Sequence, residues 1–369
     1  MKCTLAITQK CNLACDYCYI QKSGSTMLPH TAQKIVDYIF LKTPADEKIE
    51  FGFFGGEPLL ELELIKTIIN IIRGNELYTP ERVNLTVTTN GTILDTPIID
   101  FLTETNVVLC ISCDGPPEIQ NRHRRFKSGK DSAALVEQNL GRALSYFPSV
   151  PVNAVYSPET LEALPEVVDY LVSLGVERIF LNPDISARWT KKEADILPTV
   201  FSTVGSMYLN YHLQKKPKYI SLIDSKIAII LKGGYQLIDK CRMGDGELAF
   251  APSGNAYPCE RLIGSDTENT HRLGNIYEVM ELGKRCHHIP TDALNTECLA
   301  CDLSGYCMNW CGCTNFAMAG RYDAASPFLC ASEKASISVA LDTLRLANER
   351  NVNLAHNLAG AGSSHTACT

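Results

Sequence analysis

The chain of 369 residues holds sixteen cysteines, and their spacing is its first chemical signal. Cys11, Cys15 and Cys18 stand in "CNLACDYCY", separated by three and then two residues. Disulfides use cysteines in pairs and a closed structural zinc site takes four ligands, so a triplet suits neither. Thiolates are the usual ligands of iron–sulfur clusters, and a cubane has four iron sites to fill. Three thiolates from one loop would leave one iron open, where a substrate or cofactor could bind. Read alone, the triplet is also compatible with a zinc loop that borrows a fourth ligand elsewhere. A second field follows: Cys241, Cys259, Cys298, Cys301, Cys307, Cys311 and Cys330, with Cys313 beside Cys311. Clustering of this kind points to metal ligation rather than scattered buried cysteines.

Residues 2–183 alternate short apolar runs with amphipathic stretches. The pattern predicts strands over 3–8, 49–55, 83–89, 106–114, 150–156 and 178–183, and helices over 30–42, 59–74, 96–105, 131–147 and 160–175. That rhythm implies a parallel sheet with crossover helices. Six repeats suit an α/β fold of the partial (β/α)6, TIM-like barrel type, with its active site at the C-terminal ends of the strands. A doubly wound open sheet is the alternative. The motifs that could do chemistry fall just after strands: the triplet after the first, "GGEP" after the second, "TNG" after the third and "SCDGP" after the fourth.

Residues 184–240 read as a helical connector. Residues 241–331 read as a small cysteine-rich domain too poor in apolar runs to fold without metal. A closing helix is expected over 332–350 and an unstructured tail over 351–369.

A formal charge of −7 argues against a nucleic-acid-binding surface. The basic stretch "RHRRFK" (122–127) is too short for such a footprint and suits a solvated loop or an anion clamp. No stretch approaches about 18 apolar residues, so no membrane span is expected. No secretory signal opens the chain, and a cytoplasmic protein with reduced thiols is expected.

Cys11-x3-Cys15-x2-Cys18, with Tyr17 before the last cysteine, resembles the signature of radical S-adenosylmethionine (SAM) enzymes. In that family the open iron binds the amino and carboxylate groups of SAM, and reductive cleavage gives a 5′-deoxyadenosyl radical. The resemblance extends to "GGEP", whose Gly55, Gly56 and Glu57 would meet the methionyl ammonium. It extends to Ser112 and Asp114 of "SCDG" at the ribose, and to Arg124 at the SAM carboxylate, a role that Arg122 or Arg125 could also fill. Asn90 of "TTNG" is a further candidate contact.

The second field is similar to the seven-cysteine pattern of the SPASM extension, which in relatives carries two auxiliary [4Fe–4S] clusters. Three clusters in all are therefore implied. The resemblance gives Cys298, Cys301, Cys307 and Cys330 to one auxiliary cluster, and Cys241, Cys259 and Cys311 to the other. Sulfatase-maturing relatives have a further cysteine shortly before the Cys241 position. Here the window 235–240 reads "YQLIDK" and has none. Cys286, Cys313, a water or a substrate thiolate could take that position. For the run Cys298 to Cys311, a zinc ribbon is the competing reading. Glu260, next to Cys259, stands where such relatives place a general-base aspartate, and a carboxylate raised by burial could serve.

The resemblance implies a peptide or protein maturase that acts on a ribosomally made peptide, forming a thioether or carbon–carbon cross-link or an epimerised centre. Oxidation of a sulfatase Cys or Ser to formylglycine is the alternative within the same chemistry. A non-catalytic iron–sulfur electron carrier and a zinc-based interaction module are the alternatives of other classes. The partners implied are a peptide or protein substrate, a separate leader-peptide-recognition protein, and a reductant such as flavodoxin or ferredoxin, with no nucleic acid and no membrane.

Overall fold

The computed structural model describes residues 1–267, 270–278 and 296–354. Ten strands run through the described residues: β1 Lys2–Thr8, β2 Ile49–Gly55, β3 Val83–Thr89, β4 Val107–Ser112, β5 Val152–Tyr156, β6 Arg178–Pro183, β7 Tyr219–Ile220, β8 Glu247–Phe250, β9 Asn255–Tyr257 and β10 Gly274–Asn275. The chain divides into two units. The first holds Met1–Ile111, His123–Tyr146 and Cys241–Ile289; the second holds Ser112–Arg122, Phe147–Lys240 and Pro290–Thr369.

In the first unit β1 pairs in parallel with β2, β2 with β3, and β3 with β4. The connections are helices, Pro29–Lys42, Leu62–Arg73 and Thr96–Glu104, so the strand–helix rhythm of the sequence is realised. Helix Leu62–Arg73 buries Ile65, Ile68, Ile69 and Ile72, the spacing of a single helical face. At about 2 kcal/mol for each buried isoleucine, that face outweighs the modest helix propensity of a β-branched run. Residues Cys3 to Thr8 of β1 are buried on both faces, as expected of a strand with neighbours on each side.

The other neighbour of β1 is β8. It pairs in parallel, with Lys2 opposite Glu247, and turns into the antiparallel β9 and β10. The cysteine-rich segment therefore begins as an addition to the first unit's sheet, which its short apolar runs did not announce.

In the second unit β5, β6 and β7 pair in parallel. Two helices of 23 residues, Lys191–Leu213 and Pro327–Glu349, pack closely where Gly205 meets Val339. The second of these starts at Pro327, not at 332, because Ser326 caps it by accepting from the Leu329 N–H at 3.2 Å. β7 is a two-residue strand inside the stretch 184–240 that reads as a helical connector. Of the tail over 351–369, residues from 355 onward lie outside the described residues, and Leu354 is buried. No helix among the described residues is long and apolar enough to cross a membrane.

Candidate active site and metal centres

The triplet loop leaves β1 and is clamped along its length. Ala14 N–H donates to the Arg125 carbonyl at 2.8 Å, and Lys127 N–H to the Asn12 carbonyl at 3.1 Å. Asp16 meets the His123 ring at 2.9 Å, and the Arg124 guanidinium lies 5.2 Å from the Tyr17 ring centre. Residues 123–127 thus line the cysteine loop, with Arg124 buried and Arg125 paired to Asp131 at 3.5 Å on the outside. Cys18 and Tyr19 pack on a core of Ala6, Ile20, Ala249, Ala251, Tyr257 and Ile263.

Cys11 is buried and Cys15 and Cys18 are half-buried, and none of the three is in a disulfide. The Asn90 amide donates to Cys11 Sγ at 3.7 Å and to Asn12 Oδ1 at 2.9 Å. Lys22 bonds to Cys18; burial opposes its charge, but Cys18, Cys11 and Cys15 together hold its ammonium above the usual range. Three soft ligands in one loop, a donor aimed at a ligating sulfur and a cation beside them suit a polynuclear iron–sulfur centre with one position left open.

The "GGE" segment explains its own glycines. Gly56 N–H donates to the Thr8 carbonyl and Glu57 N–H to the Lys10 carbonyl, each at 2.8 Å. A Cβ on Gly55 would lie 2.1 Å from the Thr8 carbonyl oxygen, and one on Gly56 2.1 Å from that of Lys10. The backbone that approaches so closely is the start of the cysteine loop itself.

Glu57 is wholly buried and accepts from Thr89 Oγ1 at 2.8 Å, Leu59 N–H at 3.0 Å and Asn90 N–H at 2.7 Å. A carboxylate offers about four acceptor positions, so one remains for an ammonium group. Burial lifts its pKa from an ordinary 4.5 to about 7, against the pull of those three donors. A raised carboxyl stabilises the fold fully below the unfolded value and loses that contribution as pH rises through the folded value. Without SAM, the stability of the wild type relative to Glu57→Gln should therefore fall between about pH 5 and about pH 8 in urea titrations. A pH-independent difference would refute the assignment.

In the second unit, Asp114 is buried, and its carboxylate accepts from the Val155 N–H at 2.9 Å. Its own N–H donates to Gln120 at 2.8 Å. Ser112, half-buried, ends β4. The bond from Val155 gives Asp114 a positioning task that its motif did not disclose.

Cys241 and Cys259 belong to the first unit with Glu260, Glu247 and Lys2. Cys241 Sγ lies 3.2 Å from Glu247 Oε2, and Cys259 Sγ 3.6 Å from Glu260 Oε2. Lys2 Nζ lies 3.2 Å from Glu247 Oε1. Burial raises the Glu260 carboxyl, the direction expected of a base candidate. Burial also opposes the charge of Glu247, but Lys2 and bonds from Glu260 and Cys241 hold it low.

The second unit holds Cys298, Cys301, Cys307, Cys311 and Cys330, all half-buried and none in a disulfide. Burial raises the Cys298 thiol, and Cys330 and Cys301 lie near enough to raise it further. Cys330 sits in the first turn of its helix. Near Cys307 the chain is tied by Glu333, which takes Lys226 Nζ at 2.6 Å and the Met308 N–H. This set also suits a thiolate-bound cluster. Cys313 lies 3.7 Å from Cys311, sulfur to sulfur, while Cys286 lies outside the described residues.

Sequence reasoning missed Asn12, Asp16, His123, Lys22, Lys2 and Glu247. Each acquires its place through a partner distant in the chain or through the path of a loop, and no local spacing marks it.

Residues 5–171 match the Radical SAM superfamily. An uncharacterized protein of Methanocaldococcus jannaschii is 29% identical over 282 residues, which are 74% of this chain and 87% of that protein. The cysteine-type anaerobic sulfatase-maturating enzyme of Clostridium perfringens strain 13 is 23% identical over 323 residues, 82% and 85% of the two chains. Among solved structures, native anSMEcpe with bound AdoMet and Cp18Cys peptide superposes with a TM-score of 0.79 at 21% identity, covering 95% of this chain and all of that one. The α/β fold with an incomplete barrel is shared with that structure.

Proposed function

We propose that this chain, whose residues 5–171 match the Radical SAM superfamily, is a maturase and that its substrate is a residue of a ribosomally made peptide. The product would be a thioether, a carbon–carbon cross-link or an inverted α-carbon. The observation that carries this reading is the clamped loop of Cys11, Cys15 and Cys18, with Asn90 donating to Cys11 and the "GGE" backbone seated against it. When bound, the cluster on these cysteines supplies the electron that cleaves SAM into methionine and a 5′-deoxyadenosyl radical.

The remaining acceptor position of Glu57 suits the methionyl ammonium. The Arg124 guanidinium, oriented over Tyr17, suits the carboxylate. Ser112 and Asp114 are assigned to the ribose hydroxyls, with Asp114 already oriented by Val155. Cys298, Cys301, Cys307 and Cys330 are assigned to one auxiliary cluster, and Cys241, Cys259 and Cys311 to the other. Glu260 is assigned the substrate proton. Glu260→Gln should then abolish product while SAM is still cleaved to 5′-deoxyadenosine. Unchanged product formation would end that role.

Oxidation of Cys or Ser to formylglycine is a second reading, favoured by the name of the Clostridium perfringens relative. The test is anaerobic reconstitution, addition of dithionite and SAM, and chromatography of 5′-deoxyadenosine and peptide mass. A Cys-x-Pro-x-Arg or Ser-x-Pro-x-Arg peptide that becomes an aldehyde would replace our reading with the second. Cross-linking or epimerisation of a precursor peptide would support ours. A protein in the cytoplasm, drawing on flavodoxin or ferredoxin and aided by a separate leader-binding protein, completes the proposal.

A further inference from the structure

In the second unit β5, β6 and β7 run in parallel, and their register aligns their starting ends, with Val152 opposite Ile179 and Arg178 opposite Tyr219. The segments that enter the three strands therefore meet at one edge, away from Tyr156 and Pro183 at the other. They line a cavity of about 630 Å³ that lies wholly within this unit. Arg178, Lys215, Lys216 and Lys218 face it with positive charge, and Glu177 is the one carboxylate in its lining. Such a concentration of cations is notable in a chain of formal charge −7.

Lysines near the end of a helix can simply offset its dipole. Three observations go beyond that account. Ser149 Oγ, also in the lining, is shielded from solvent and has no hydrogen-bond partner among the described residues. Buried hydroxyls ordinarily have one. Lys215, two residues past the helix Lys191–Leu213, holds φ at +57°, the left-handed region that glycine favours at this place. A lysine is strained there where a glycine is not, and what it adds is an ammonium group at the cavity. The Arg178 guanidinium lies 4.4 Å from the centre of the Tyr219 ring, which orients it before any ligand arrives.

We propose that this cavity is a binding site for a compact polyanion, the diphosphate group of inorganic pyrophosphate or of a nucleotide. Arg178 takes one phosphate with its fork, the three lysines neutralise the charge, and the Ser149 hydroxyl donates to a phosphate oxygen. Lys215 and Lys216 are exposed, and neither has a carboxylate partner among the described residues, so no ion pair has to be broken to engage them. The volume falls within the roughly 300–1,000 Å³ of small-ligand sites. Its lining comes from three short segments around one hollow. An extended acidic peptide, at about 3.3 Å per residue, would need a groove instead. The inference depends neither on the maturase activity nor on any cluster.

The test is isothermal titration calorimetry of the full chain with pyrophosphate, with ADP and with a hexaglutamate peptide. One pyrophosphate or one ADP should bind per chain, more weakly as salt is raised. Tighter binding of ADP would name a nucleotide as the source of the diphosphate, and tighter binding of pyrophosphate the free anion. Lys216→Gln should weaken binding about tenfold or more, and Ser149→Ala should weaken it less. Lys215→Gly should weaken it as Lys216→Gln does while the melting temperature stays the same or rises, because glycine relieves the backbone. Lys48→Gln, an exposed lysine of the first unit, should change nothing. Absence of saturable binding of both phosphate probes would overturn the assignment. So would equal binding in Lys216→Gln, which would place the anion elsewhere, for instance on iron. Hexaglutamate binding more tightly than either probe would replace the diphosphate by an acidic peptide and overturn it too.

Discussion

Replacing Cys15 by Ala should abolish 5′-deoxyadenosine formation and remove about four irons per chain, with the fold left intact. The reason lies in where the thiol sits. Cys15 is half-buried in a loop whose shape is held by other groups: the Arg125 and Asn12 carbonyls, the Asp16–His123 pair and the packing of Tyr19 against Phe54. Removing one sulfur from a partly exposed position leaves no large cavity, so the melting temperature should change little. Two thiolates cannot retain a cubane that already has one open iron. Iron analysis, circular dichroism and chromatography of the SAM products check this together. Wild-type amounts of 5′-deoxyadenosine from Cys15→Ala would remove the loop from the chemistry, and zinc in place of iron in the wild type would do the same for the whole reading.

The second large effect is expected from Gly56→Ala, a change of one methyl group. The new Cβ would stand 2.1 Å from the Lys10 carbonyl oxygen, 2.6 Å from its carbon and 3.0 Å from the Gln9 oxygen. These are backbone atoms on both sides, so no side chain can swing away. Relief requires parting β2 from the start of the cysteine loop, at the cost of the Gly56-to-Thr8 and Glu57-to-Lys10 hydrogen bonds. Overpacking together with two broken buried bonds amounts to about 3 kcal/mol or more. Because the displaced segment immediately precedes Cys11, cluster assembly should fail as well. Gly24→Ala, where an added Cβ would meet nothing within 4 Å, is the control. Thermal unfolding and iron content of the two variants decide the matter. A Gly56→Ala protein with wild-type stability and iron would show that the close approach is not needed.

Much of this protein could be read without coordinates. The six strands of the barrel segment follow from apolar runs of strand length, and their helices from 3.6-residue periodicity, because burial of one face is a local pattern. The cysteine loop was also legible, since ligand spacing within a loop is set by the chain itself. The closing helix was placed too late because its signal, Ser326 and Pro327, lay within the cysteine field.

Other features could be decided only by the tertiary structure. Asp16 and His123 are 107 residues apart and Lys2 and Glu247 are 245 apart, and each pair meets through the path of a loop or the register of a strand. "RHRRFK" reads as a basic patch, yet the partners of its residues 123–127 set them along the cysteine loop. The glycines of "GGEP" read as room for a ligand, and the structure shows that the first backbone they admit is the protein's own. A residue's type and spacing set which chemistry it can perform. Which partner it meets depends on a hydrogen-bond register chosen by the whole sheet, and no short window of sequence contains that choice.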